Sequence, residues 1–169
     1  MRYVLHAMLL AFMAFLPGVA NAEVKQIRLT EKQIQAFISA QKEMAAIAEK
    51  MPSDDKPDPK IQAQLEATAK KHGFTNFAEY DDVAANISMI MAGIDTETKK
   101  FTDPRVALEA EIASITADPT IPAADKKQVL DELNQALKAS QPIQYSSNID
   151  LVLKYYDKIE AAIEATLSD

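Results

Sequence analysis

Cysteine and tryptophan are absent from this 169-residue chain, and glycine occurs only three times. Without cysteine there is no disulfide, no thiol nucleophile and no sulfur ligand for zinc or an iron–sulfur cluster. So few glycines leave no loop that could cradle a phosphate group, and no G-x-S-x-G nucleophile turn occurs. The chain has two histidines, His6 and His72. Basic residues are also in the minority, 18 Lys and Arg against 25 Asp and Glu, for a net charge of −7. A chain this acidic, with no basic run interleaved with aromatics, is repelled by phosphate backbones and anionic lipid, so no nucleic-acid partner is expected.

The N-terminus reads MRYVLHAMLLAFMAFLPGVANA: one early cation, an apolar run over 7–16, a Pro17-Gly18 break, and small residues at Ala20 and Ala22. These are the parts of a secretory signal peptide. The apolar run is shorter than the ~20 residues of a membrane span. Residues 1–22 are therefore expected to be removed after Ala22, leaving 23–169 as one helical domain, periplasmic or secreted, with no stable membrane insertion after cleavage. Loss of Arg2 takes the net charge of −7 to −8.

The mature chain carries helical periodicity in six segments and no convincing strand alternation. From Thr30 to Met51 the stripe is Ile34, Phe37, Ile38, Gln41, Met44, Ala45, Ala48 and Met51. PSDDKPDPK then breaks the pattern, and Asp58-Pro59 reopens a helix in which Asp caps and Pro fills the first turn. That helix buries Ile61, Leu65 and Ala69 and stops at His72-Gly73. Asn76 and Glu79 have capping-box spacing for a third helix to about Ile94, with Gly93 in its last turn. Asp103-Pro104 opens a fourth, with Val106, Leu108, Ile112 and Ile115 inward. A fifth runs over about 122–139 on Val129, Leu130, Leu133 and Leu137. A sixth, opened by Ser147 and Asp150, presents Val152, Tyr155, Tyr156, Ile159, Ile163 and Leu167. Short connections make successive helices fold back, so the expected fold is all-α, a single-domain antiparallel bundle of five or six amphipathic helices.

Catalytic, cofactor and metal assignments are none. His72 is expected to favour the negative end of its helix. Met89 and Met91 lie too close in sequence to share a helix face and are assigned to packing. Asp54, Asp55 and Asp58 lack the glycine and glutamate of a calcium loop. The stretch Leu29, Thr30 and Gln33 has a local explanation as a capping box with Leu29 and Ile34 as its hydrophobic staple.

The same three residues match the L-T-x-x-Q pattern of the small periplasmic stress chaperones, which this chain resembles in being exported, helical and short. It carries one copy of a motif that family usually has twice. The resemblance implies an ATP-independent holdase that binds unfolded clients on a helical, often dimeric, surface. The functional expectation is thus non-catalytic binding of other exported or envelope proteins, or of a second copy, through Phe37, Ile38, Met44 and Met51 on the first helix and Tyr155 and Tyr156 on the last. The alternatives are a bundle binding a small molecule or ion near Met91 and Tyr155, and an enzyme using carboxylates.

Overall fold

The computed structural model describes residues 24–50 and 58–167. The signal-peptide assignment, Met51, and Asp54 and Asp55 lie outside the described residues. Among the described residues there are six α-helices and no strand: α1 Glu31–Ala48, α2 Pro59–Lys71, α3 Phe77–Met91, α4 Pro104–Ala117, α5 Ala123–Ala139 and α6 Ser147–Leu167.

The helix starts are local chemistry. Thr30 accepts from the Gln33 amide while the Gln33 side chain accepts from the Thr30 amide, the full capping box. Asp58 and Asp103 each accept from the amide two residues on, with proline next to them at the first helical position. Asn76 caps α3, but Glu79 reaches the amide of Thr75 rather than that of Asn76. Gly73, at φ +94°, turns the chain out of α2.

The core is built by four of the helices. Ile34, Phe37 and Met44 of α1, Ile61 and Leu65 of α2, Val83, Ile87 and Ile90 of α3, and Val152, Tyr156 and Ile159 of α6 are all buried together. Tyr80 is ringed by Phe37, Phe74 and Phe77 at centroid distances of 5.9, 5.4 and 5.8 Å. Its hydroxyl takes the amide of buried Gln41, the one polar residue on the α1 stripe, at 3.2 Å. Burial pushes the Tyr80 phenol up to about 12.

Helices α4 and α5 stand apart. They pack on each other and on none of the other four helices, and neither holds a buried residue. The pair is an antiparallel hairpin: Arg105 at the start of α4 donates to the carbonyls of Leu137 and Ser140 at the end of α5, at 3.1 and 2.7 Å. Lys126 at the start of α5 donates to the carbonyls of Thr116 and Asp118 at the end of α4. The expectation that Val106 faces inward is overturned, since it is 58% exposed.

Folding back on the neighbour also fails for the last helix. Asn148, at the start of α6, bonds the backbone of Leu29, just before α1, and Lys154 and Tyr155 meet Glu31. The two helices therefore begin side by side, because the hairpin takes up the chain between α3 and α6 and returns it to the end where α1 starts. Gly93 lies past α3, at the hairpin's entry. A Cβ there would come within 2.5 Å of the Thr102 carbonyl and 2.6 Å of the Phe101 ring, so this position needs glycine for close approach.

Candidate functional site

Phe37, Met44, Tyr155 and Tyr156 are 2, 4, 7 and 3% exposed, and Ile38 is partly buried against the same core. The stripe expected to meet a partner instead closes α1 onto α2, α3 and α6. A lone amphipathic helix looks the same whether its apolar face meets its own chain or another. The two tyrosines send only their hydroxyls to the rim: Tyr155 contacts Glu31 and accepts from Gln35, and Tyr156 donates to Glu160 at 2.8 Å under the ammonium of Lys99. Met91 and Tyr155, named for a small-ligand pocket, are both buried in the core cluster.

Two shallow depressions lie elsewhere, side by side at the start of α1. One, of about 230 Å³, is lined by Thr30, Lys32, Gln33, Ala36, Gly73, Phe74, Thr75 and Glu79. The other, of about 490 Å³, adds Lys25, Ile27, Arg28, Asn76, Ala78 and Asp82 and shares Gln33, Thr75 and Glu79. Between them Glu79 accepts from the Thr75 amide and from the Gln33 side chain, which together hold its carboxyl below the usual range. Gln33 thus completes a cap and ties α1 to α3. Asp81 and Asp82 are half-buried, and burial followed by the charge of Asp82 pushes the Asp81 carboxyl up.

One trio has the residue types of a hydrolase. His72, the C-cap of α2, has Nδ1 2.9 Å from the Ser39 hydroxyl and Nε2 3.3 Å from Glu43, the latter not aligned as a hydrogen bond. Ser39 sits in mid-helix, where its backbone amide is spent within the helix, and its hydroxyl also donates to the Ala36 carbonyl. The trio therefore has no oxyanion donor from the serine's own backbone. Lys71 caps the same carboxylate at 2.7 Å, and the group joins α1 to the end of α2. Among the described residues no three metal-ligating side chains cluster, and no helix is long and apolar enough to cross a membrane.

The most ordered polar arrangement was not visible in the motifs. Residues 25–29, before α1, form an extended strap held by primary amides instead of by a neighbouring strand. Asn86 of α3 donates to the Lys25 carbonyl and accepts from the Ile27 amide, at 2.9 and 3.0 Å. Asn148 of α6 donates to the Ile27 carbonyl and accepts from the Leu29 amide, at 2.7 and 2.9 Å. Both asparagines are 3% exposed. Gln26 repeats the pattern outward, donating to the Pro142 carbonyl and accepting from the Gln144 amide, both at 2.8 Å. The available signal was polar residues at inward positions: Asn86 beside Val83, Ile87 and Ile90, and Asn148 one turn before Val152. A buried amide in an apolar stripe requires partners.

The strap meets the hairpin's exit, where Arg28 also lies over the Tyr145 ring. The hairpin itself lines up Leu108, Ile112 and Ile115 with Val129, Leu133 and Leu137 as a half-covered seam. Outside the seam, Val106, Ala107, Ala110, Ala113 and Ala117 of α4 are exposed. Compared with family models, curated proteins and solved structures, the chain finds no match in any of the three.

Proposed function

We propose that this chain is a non-catalytic protein-binding module of the periplasm or exterior, exported by its N-terminal segment, and that the α4–α5 hairpin is its contact arm. The observation that carries this reading is the hairpin's isolation. Among the described helices α4 and α5 pack only on each other, neither holds a buried residue, and one face of α4 is apolar and open. Incompletely covered apolar surface on a projecting element is where association gains most from removing water. The resemblance at Leu29, Thr30 and Gln33 supports the narrower reading of an ATP-independent holdase for unfolded clients. The acidic charge keeps such a protein soluble beside them.

The test dilutes a denatured client into buffer with the mature chain and follows aggregation by light scattering. The wild type is expected to suppress aggregation near stoichiometric ratios without nucleotide. Val106→Lys with Ala113→Lys, both on the exposed face, should lose most of that suppression with helicity unchanged. Equal suppression by this variant would remove the arm from the proposal, and no suppression by the wild type would remove the holdase reading.

A further inference from the structure

We propose that the outer edge of the 25–29 strap receives an extended segment of a client polypeptide by strand addition, deepening the protein-binding reading on which it rests. In an extended chain the amide and carbonyl of one residue point to the same side, and those of the next residue to the other. The carbonyl of Lys25, both groups of Ile27 and the amide of Leu29 all go to Asn86 and Asn148. The opposite edge is the amides and carbonyls of Gln26 and Arg28. Among the described residues these take no hydrogen bond.

The strap thus offers the main-chain edge of a single strand, its other side being satisfied by the two asparagines. Two buried amides hold it extended, and Ile27 and Leu29 anchor it in the core. A partner pairing there need not order this strand, which removes part of the entropic cost of association. Recognition would be by main chain, so it tolerates many sequences, as a binder of unfolded clients requires.

Charge selects the occupant. Arg28 is exposed on the strap and Lys32 one turn into α1, while the Lys25 ammonium is already paired with Asp82 of α3. A second copy pairing antiparallel through its own strap would set Gln26 opposite Arg28 and, having no acid at 25–29, would bring no opposite charge to either Arg28. An extended client segment with acidic side chains beside its pairing residues meets the opposite sign.

The experiment titrates the mature full-length chain into a fluorescent peptide of alternating Val and Thr flanked by Glu, reading anisotropy. A Lys-flanked peptide and one N-methylated at alternate amides serve as comparisons. Binding of the Glu peptide is expected, at least ten-fold weaker for the Lys peptide and abolished by N-methylation. Arg28→Pro deletes one free edge amide without removing a hydrogen bond of the fold, and should weaken binding at least ten-fold. Arg28→Ala keeps that amide and should weaken it no more than about three-fold, the electrostatic share of one exposed cation.

Near-UV circular dichroism checks that Arg28→Pro remains folded. If it does not, amide exchange in the wild type decides, the Gln26 and Arg28 amides being expected to gain protection with peptide. Wild-type affinity in a folded Arg28→Pro, protection confined to residues 104–139, or strap-dependent dimerisation that excludes the peptide would each overturn the proposal. In the client assay, loss of suppression by the arm variant with full suppression by Arg28→Pro would leave the protein-binding reading standing and remove this one.

Discussion

The four-helix body and the two-helix arm are made of the same materials and end in different states. Both have amphipathic helices opened by the same Asp-Pro start, at 58–59 in the body and 103–104 in the arm. In the body each stripe meets two or three others, and residues such as Ile34, Val83, Val152 and Ile159 reach zero exposure. In the arm each stripe meets one other, so no side chain is enclosed. Two helices cannot surround a side chain, whereas four can, so burial here reflects the number of neighbours more than the residue type. The body also holds every aromatic ring among the described residues, since none occurs in 104–139.

The comparison breaks most sharply at Phe37. Phe37→Ala removes a ring stacked on Tyr80 and should cost about 3–5 kcal/mol of global stability, read by denaturant unfolding with near-UV circular dichroism. Leu133→Ala in the arm should cost roughly 1 kcal/mol, because a half-exposed side chain loses only part of its burial energy. It should leave the aromatic signal of the body unchanged. Equal effects would mean that arm and body unfold as one unit.

Asn86→Ala comes next. It leaves the Ile27 amide and the Lys25 carbonyl without their partner, for a loss of about 1–3 kcal/mol. Hydrogen exchange should show the Ile27 amide opening first, with Leu29 still held by Asn148. Arg105→Ala should act on the other side of the comparison, raising exchange through α4 and α5 while the melting of the body barely moves. It removes two carbonyl contacts that close the base of the arm.

The smallest effect is alkaline and belongs to the body alone. Burial raises Tyr80 from 10.0 to about 12. In the unfolded chain the phenol ionises near its ordinary value, and in the folded chain it resists. The stability this confers is complete below pH 10 and is lost as pH rises toward 12. Tyr156 is also raised, by burial and then by its hydrogen bond to Glu160. Tyr80→Phe should therefore flatten part of the alkaline slope, leaving the Tyr156 share, in unfolding measured between pH 9 and about 12.

Helix positions were largely legible because their punctuation is local. Thr30 with Gln33, Asp58-Pro59 and Asp103-Pro104 all cap where expected, and α5 covers almost the whole expected range. Which stripes would be enclosed was not legible. Val106 and Val83 occupy equivalent places in their patterns, yet one is 58% exposed and the other 0%. Phe37, Met44, Tyr155 and Tyr156, expected to meet a partner, fell in the core for the same reason, and Asn86, Asn148 and Gln26 passed unnoticed because their partners are backbone groups of remote segments.

The sequence by itself determined that the chain is helical, where its helices begin, and that it has no thiol chemistry, since those follow from residue type and spacing within a few turns. Only the tertiary structure decided that α4 and α5 leave the core and that a strap beside α1 is held by buried amides, its other edge unpaired among the described residues. The strap depends on contacts between residues more than fifty apart and the arm on having no such contact with the other helices, and nothing in a local pattern records which distant surface will be its neighbour.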